Sequence, residues 1–145
     1  MTDKQAVDKN VLDLKRLSRD TGAAVLIISS LNRDNYMNPI NNAAFKESGA
    51  VEYSCDVLMG LQFEGMDYVP GEGDKVRDQR VRALINSQID NGNSGGDERL
   101  ELKILKYRNG RRGTRDSVLY TPRFNHYEES AVSWDETPQR KVRPL

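Results

Sequence analysis

Basic residues dominate segment 103–115, which holds six lysines and arginines and no acid. Within it, Asn109-Gly110 is the favoured two-residue turn of a β-hairpin. Lys106 and Arg108, two positions apart on the strand entering this turn, would project from one face. Two cations on a rigid ribbon are typical of an anion site, for nucleic-acid phosphates or for the phosphate of a nucleotide held by another protein. An edge strand protected against aggregation by its charges would have the same composition.

Two other polar segments are candidates for ligand contacts. Ser29-Ser30-Leu31-Asn32-Arg33 follows an apolar run, and open α/β sheets bind ligands beyond the carboxyl ends of their strands. Lys46-Glu47-Ser48-Gly49 joins a charged pair to a Ser-Gly step. A polar turn and a short helix cap are simpler interpretations, so neither segment identifies a ligand by itself.

The chain has no phosphate-binding loop of its own. Gly60 and Gly65 match the glycine spacing of the P-loop, but Met66 and Asp67 stand where its lysine and hydroxyl are required. The early apolar run ends in Ser29-Ser30 and not in an aspartate that could bind magnesium. We expect neither a complete nucleotide site nor a metal site within this chain.

The first elements follow from hydrophobic periodicity. Apolar residues recur every three or four positions between residues 3 and 21, which predicts a helix, and Gly22 supplies its stop. Residues 23–28 form a continuous apolar run, as expected for a strand covered on both faces in a parallel sheet. Helix, glycine and buried strand together make half of a βαβ unit.

The remaining segments complete the predicted architecture. Residues 55–63 read as a second strand, and residues 99–108 and 117–121 as a C-terminal hairpin. Residues 65–97, rich in glycine and charge, predict a surface excursion with at most a short helix over residues 78–89. We expect an α/β fold with a mostly parallel sheet and a flanking helix, in one domain over residues 1–129, and a flexible tail over residues 130–145.

Composition limits the class of protein. With 145 residues, 37% hydrophobic and 30% charged, the chain suits one polar globular domain. It has no apolar run of membrane length and no secretory signal, so a cytoplasmic protein without membrane contact is expected. The single Cys55 favours a buried, inert thiol. Zero formal charge means that any signal for nucleic-acid binding must be local.

Four segments, in their order along residues 8–128, resemble the last motifs of DnaB-type replicative DNA helicases. They are Ser29-Ser30-Leu31-Asn32-Arg33, Phe45-Lys46-Glu47-Ser48-Gly49-Ala50-Val51-Glu52, Asp56-Val57-Leu58-Met59, and Lys106-Tyr107-Arg108-Asn109-Gly110 with Gly113-Thr114. The resemblance implies part of a RecA-like motor that forms a ring of six, hydrolyses ATP between subunits and pulls single-stranded DNA through its centre.

The resemblance also implies residue roles. Lys106 and Arg108 match the lysine and arginine fingers that act in trans on a neighbour's ATP. Lys46, Glu47, Ser48 and Gly49 match the loop that grips DNA phosphates, with Lys46 replacing an arginine and losing its bidentate fork, and Arg33 is a further expected DNA contact. Ser30 replaces the glutamine expected to sense the γ-phosphate, which suggests a divergent member from a phage or mobile element.

In that family the P-loop, the metal-binding aspartate and the primase-binding domain would all precede Met1. The chain is then either a piece of a longer protein, which we favour, or the product of a gene that lost its motor half. ATP and Mg²⁺ would be bound mainly by a neighbouring subunit and none by this chain alone. Expected partners are single-stranded DNA, further copies of the chain, and a primase or loader. A non-catalytic nucleic-acid-binding module and a RecA-like ATPase outside replication are the alternatives.

Overall fold

The structure, a computed structural model, describes residues 2–45 and 49–130. Its helices are α1 (Asp3–Thr21), α2 (Gly49–Ser54) and α3 (Asp74–Asn93), and its strands are β1 (Val57–Phe63), β2 (Glu98–Tyr107), β3 (Arg115–Thr121) and β4 (His126–Glu129). Short 3₁₀ turns lie at Arg33–Asn35, Asn42–Ala44 and Pro122–Phe124. None of the helices in these two ranges is both long and apolar enough to cross a membrane. Beyond Ser130, the tail predicted for residues 130–145 lies outside the described residues.

The four strands form one sheet in the order β1-β2-β3-β4, and every neighbouring pair is antiparallel. The predicted α/β fold with a mostly parallel, RecA-like sheet is therefore wrong. The error lies in residues 23–28, which are not a strand and expose their apolar side chains, with Leu26 80% and Ile28 93% exposed. A buried strand needs neighbouring strands to pair with and layers that cover its two faces. A continuous apolar run identifies neither of these.

Helix α1 is confirmed at both predicted ends. The Thr2 side chain accepts a hydrogen bond from the Gln5 N–H, and the Gln5 side chain accepts one from Thr2 N–H, which makes a capping box. Gly22 ends the helix with a φ of 70°, in the left-handed region where glycine carries no steric cost. Val11 is the buried residue of its inner face.

The predicted hairpin is confirmed as β2 and β3, but its turn is longer than Asn109-Gly110. The loop spans residues 108–114, and it closes where Ile104 N–H donates to Thr114 O at 2.9 Å and Gly113 N–H donates to Ile104 O at 2.8 Å. A bulge opposite Leu58 and Met59 leaves Leu105 without a pairing partner in β1. The basic loop therefore extends from a twisted end of the β1-β2 ribbon.

The excursion over residues 65–97 is mostly helical, since α3 is 20 residues long and not confined to residues 78–89. Val81, a residue of α3, is fully buried. The Arg80 guanidinium donates to Gly65 O at 2.7 Å and Asp67 O at 2.9 Å and pairs with Glu72 at 2.7 Å, so α3 holds the loop that precedes it. At the foot of the excursion, Glu64 N–H donates to Arg99 O at 3.1 Å.

The main core cluster lies between β1 and the chain that leads into α2. It consists of Ile40, Ala44, Phe45 and Leu58. Gly60 permits this packing, because a Cβ there would overlap the buried Ile40 side chain. The Gln62 side chain accepts from Ile40 N–H at 2.7 Å and donates to Glu101 at 2.5 Å, which fixes the loop to the sheet.

Candidate anion-binding site

The six basic residues of segment 103–115 divide into three pairs with different surroundings. Lys106 is the first member of the central pair, and its ammonium donates to Glu52 O at 2.6 Å and Tyr53 O at 3.3 Å. These carbonyls lie in the last turn of α2, where the helix dipole favours a cation. The hairpin is thereby fastened to the C-terminal end of α2.

Arg108, the second member of this pair, lies beside Asp56. Its Nη1 is 3.1 Å from Asp56 Oδ1, and its backbone N–H donates to Asp56 O at 2.9 Å. Lys15 of α1 contacts the other oxygen of the same carboxylate at 2.6 Å. Lys15 first, and then the charges of Arg108 and Lys106, hold the pKa of Asp56 below its usual value. One carboxylate thus contacts two cations, Lys15 and Arg108, with the charge of Lys106 acting on it from farther away.

This central group can accept an anion. Arg108 and Asp56 side chains are about half exposed, at 50% and 52%, so an incoming phosphate could reach the guanidinium from solvent. Exposed ion pairs contribute little, on the order of 0–1 kcal/mol, and a dianion is a stronger partner for arginine than one carboxylate. Asp56 is therefore an internal counter-ion of Arg108 and Lys15 that an incoming anion would have to displace.

Lys103 and Arg115 belong to a different network. Both contact Asp67, Arg115 at 2.6 Å, and Arg115 also lies 3.3 Å from the buried Glu101. Burial raises the pKa of Asp67, but hydrogen bonds from Lys103 and Arg115 outweigh it and bring the pKa below its usual value. With two cations facing two carboxylates, this network is neutral and fastens the β1-α3 loop to the sheet.

Arg111 and Arg112 form the third pair, at the tip of the loop. Both are exposed, and neither makes a hydrogen bond or ion pair within residues 2–45 and 49–130. They add positive charge to the loop, and no acid in the described part of the chain compensates it. A flexible anionic chain could contact them at the same time as it contacts the central pair.

The other predicted site residues lie around α2 and the segment before it. Gly49 is the first residue of α2, whereas Lys46, Glu47 and Ser48 lie outside the described residues. Ser30 and Arg33 are exposed, and the bridge between Leu31 and Phe45 places their segment beside the chain entering the Lys46 segment. Among the described contacts, no hydrogen bond or ion pair joins Ser30 or Arg33 to the hairpin.

Sequence reasoning missed two contributors to this site, Asp56 and Lys15, and one residue beside it, Tyr107. Asp56 belongs to the segment Asp56-Val57-Leu58-Met59, but no role was predicted for it. Lys15, which contacts it, lies 41 residues earlier in the chain, and no local sequence pattern predicts a contact over that separation. Tyr107 lies between Lys106 and Arg108 in the sequence, and no role was predicted for it. An acid that begins a strand, together with an aromatic residue inside a basic hairpin, was the available signal.

Across the described ranges, no group of three or more His, Cys, Asp or Glu side chains could hold a metal ion. The cysteine, Cys55, is half-buried and packs against the core cluster. Comparisons of the chain with protein-family models, curated proteins and solved structures find no match. Charge and geometry at the α2-hairpin junction are thus the basis for a functional proposal.

Proposed function

We propose that this chain is part of a ring-forming, ATP-driven DNA helicase and that it completes a nucleotide site held by a neighbouring subunit. The observation that supports this most is the placement of Lys106 and Arg108 at one junction, with Lys15 adding a third cation and Asp56 contacting two of the three. The proposal depends on this hairpin and on the resemblance of four short segments. It does not depend on the sheet.

The chemistry of phosphoryl transfer explains why such a pair would matter. Negative charge on the transferred group is stabilised by a cation placed in advance, and an arginine finger is worth about 10³ to 10⁵ in rate. Because the sequence holds no P-loop, the nucleotide and its Mg²⁺ would be bound by another subunit. Lys106 and Arg108 would then act in trans.

The proposed contact with single-stranded DNA involves the Lys46-Glu47-Ser48-Gly49 segment, together with Arg33. Gly49 begins α2, and Lys106 binds the carbonyls at the opposite end of the same six-residue helix. A short rigid helix between the two proposed contacts supports a common role in one machine. Ser30, shorter than a glutamine, would leave this helix as the main link between nucleotide and DNA.

The decisive experiment is complementation of ATP hydrolysis. A P-loop-bearing helicase subunit whose own finger arginine is removed is mixed with this chain, with and without single-stranded DNA. We expect hydrolysis to be restored by the unmodified chain and by Arg82→Ala, an exposed arginine of α3. Arg108→Ala should lose about 10³-fold or more of the restored rate. Equal rates with Arg108→Ala and the unmodified chain would show that the finger role is wrong.

A second candidate is a nucleic-acid-binding module that uses no nucleotide. Arg111 and Arg112 favour it, because they have no acidic partner among residues 2–45 and 49–130 and a finger alone does not require them. Such a module binds single strands with an affinity that falls steeply with salt and is unchanged by ATP. Failed complementation combined with strong, ATP-independent binding would select this candidate over the helicase.

A further inference from the structure

We infer that Tyr107 is a stacking platform for a base of single-stranded nucleic acid, with Arg111 and Arg112 contacting the adjacent phosphates. This inference rests on the nucleic-acid-binding part of the proposed function. It adds a second contact surface, distinct from the Lys46-Glu47-Ser48-Gly49 segment and independent of the finger role of Arg108.

The Tyr107 ring is held in place by its own turn. Gly110 N–H approaches Tyr107 O at 3.5 Å, and the ring lies so close over Gly110 that a Cβ there would overlap its atoms. The Cε1 edge of the ring therefore lies against the backbone at Gly110. The side chain is nevertheless 46% exposed, so a fixed aromatic surface faces solvent. An aromatic ring ordered in advance loses little conformational entropy when a base stacks on it.

The ring lies on the other side of the hairpin from the proposed fingers. Successive residues of a strand point to opposite faces, and the side chains of Lys106 and Arg108 both reach the α2-β1 junction. Tyr107 instead pairs with Val57, itself partly exposed, across the β1-β2 ribbon. A base on Tyr107 would meet an apolar neighbour and would not compete with a phosphate at Arg108.

The charges around the ring suit a single strand. Arg111 and Arg112 follow in the same loop without acidic partners among the described residues, so they can neutralise phosphates on either side of the stacked base. Bases in a duplex already stack on one another, whereas an unpaired base offers a free face. Stacking on aromatic rings tolerates any base, which fits a protein that must bind DNA regardless of sequence.

The test measures binding of a fluorescent 20-nucleotide oligothymidylate to the full chain at constant low salt. Tyr107→Ala should weaken binding about 5- to 150-fold, the range found for one stacked base. Tyr107→Phe, which keeps the ring, should bind within about twofold of the unmodified chain. Tyr68→Ala removes an exposed tyrosine of the loop before α3 and should have no effect.

A second measurement avoids the risk that Tyr107→Ala loosens the turn. Oligonucleotides carrying 2-aminopurine report stacking through quenched fluorescence, and those carrying abasic positions lack the base to stack. With the unmodified chain, we expect quenching on binding and a matching loss of affinity for the abasic strand.

Three outcomes would overturn the inference: equal binding of abasic and intact strands, no quenching, or Tyr107→Phe as weak as Tyr107→Ala. Competition by adenosine monophosphate as effective as by an oligonucleotide would also overturn it, because the ring would then serve free nucleotides. The ATPase complementation uses Arg108→Ala and no base readout. Failure of the finger role and failure of the stacking role are therefore distinguishable.

Discussion

The ammonium of Lys106 lies 2.6 Å from the carbonyl oxygen of Glu52, a residue 54 positions earlier, and so closes the C-terminal end of α2. The basic hairpin and the helix following the Lys46-Glu47-Ser48-Gly49 segment are consequently joined by one side chain. A cation that reaches towards a phosphate on another subunit would have to leave these carbonyls. Nucleotide binding and the position of α2 would then be linked.

This contact predicts a modest contribution to stability. Lys106→Gln should lower the free energy of unfolding by about 1 kcal/mol, since a charged hydrogen bond to a helix terminus is lost at a partly exposed position. Lys9→Gln, an exposed lysine of α1, should change it by less than about 0.5 kcal/mol. Urea unfolding measures both, and equal values for the two variants would contradict the role of Lys106.

Asp56 predicts an effect on anion affinity. Asp56→Asn removes the carboxylate that neutralises Arg108 and Lys15. If the chain is the nucleic-acid-binding module of the second candidate function, these cations contact DNA phosphates, and single-stranded DNA should bind the variant more tightly. The slope of log affinity against log salt should steepen by about 0.7 for each additional phosphate contact. Asp20→Asn, which makes the same charge change at the end of α1, is the control, and it should leave the slope unchanged. An unchanged slope in Asp56→Asn would mean that no incoming anion displaces Asp56.

Asp67 predicts a pH dependence of stability. Its pKa is lower in the folded protein than in the unfolded chain, so its stabilisation is complete above the ordinary value of about 3.9 and is lost as the pH falls through the folded value. Asp67→Asn should cost about 1–2 kcal/mol at pH 7 and little at pH 2. Asp116→Asn, at an exposed position of β3, is the control. A cost for Asp67→Asn that does not change with pH would exclude an ion-pair origin.

Gly60 predicts a packing limit in the core cluster. Gly60→Ala places a methyl group against Ile40, whose Cγ1 and Cγ2 would lie 2.8 and 3.0 Å away, and should destabilise the protein by about 1–3 kcal/mol. The added change Ile40→Val should recover part of this loss by shortening the opposing side chain. Gly49→Ala, where a Cβ meets no atom within 4 Å, is the control in thermal unfolding. Equal melting temperatures for Gly60→Ala and Gly49→Ala would rule out the clash.

The exposed segment 23–28 predicts self-association. Ile28→Lys should reduce light scattering of concentrated solutions, because Ile28 is 93% exposed among other exposed apolar side chains. Its free energy of unfolding should change by less than about 0.5 kcal/mol. Val11→Lys, at the buried face of α1, should instead cost about 3 kcal/mol or more. A large cost for Ile28→Lys would place this segment in the interior of the protein in solution.

What could be predicted from sequence followed from local rules. Helix α1 has a periodic stripe and a glycine stop, and β2 alternates around a turn-rich loop, so both were predicted within a few residues. The strand predicted for residues 23–28 was wrong, because an apolar run does not show which segments would form hydrogen bonds with it. The sheet order follows from pairings such as Phe63 with Leu100, between segments separated by the whole excursion.

The residues of the candidate site also fall into those that local patterns predicted and those that depend on tertiary packing. Lys106 and Arg108 were found because alternate residues of a strand share a face. Lys15 and Asp56 were not, because their contact depends on how α1 packs beside α2. Similarly, two arginines of α3 bind backbone carbonyls, Arg77 at Met37 and Arg80 at Gly65 and Asp67. Every residue has a backbone carbonyl, so the sequence does not show which one an arginine will bind.

The hydrogen bond from Glu64 to Arg99 closes the base of the excursion, so the excursion can tolerate insertions and deletions. The residues at which the chain leaves β1 and enters β2 lie next to each other in space. Segments of different length can therefore be inserted between the two strands without altering their pairing register. Each doubling of a flexible insertion costs only about 0.6 kcal/mol in closure entropy. The basic loop lies at the opposite end of the same ribbon, and Asp67 joins the excursion to Lys103 and Arg115 on either side of that loop. Insertions and deletions that keep Asp67 in place therefore leave the base of the basic loop unchanged.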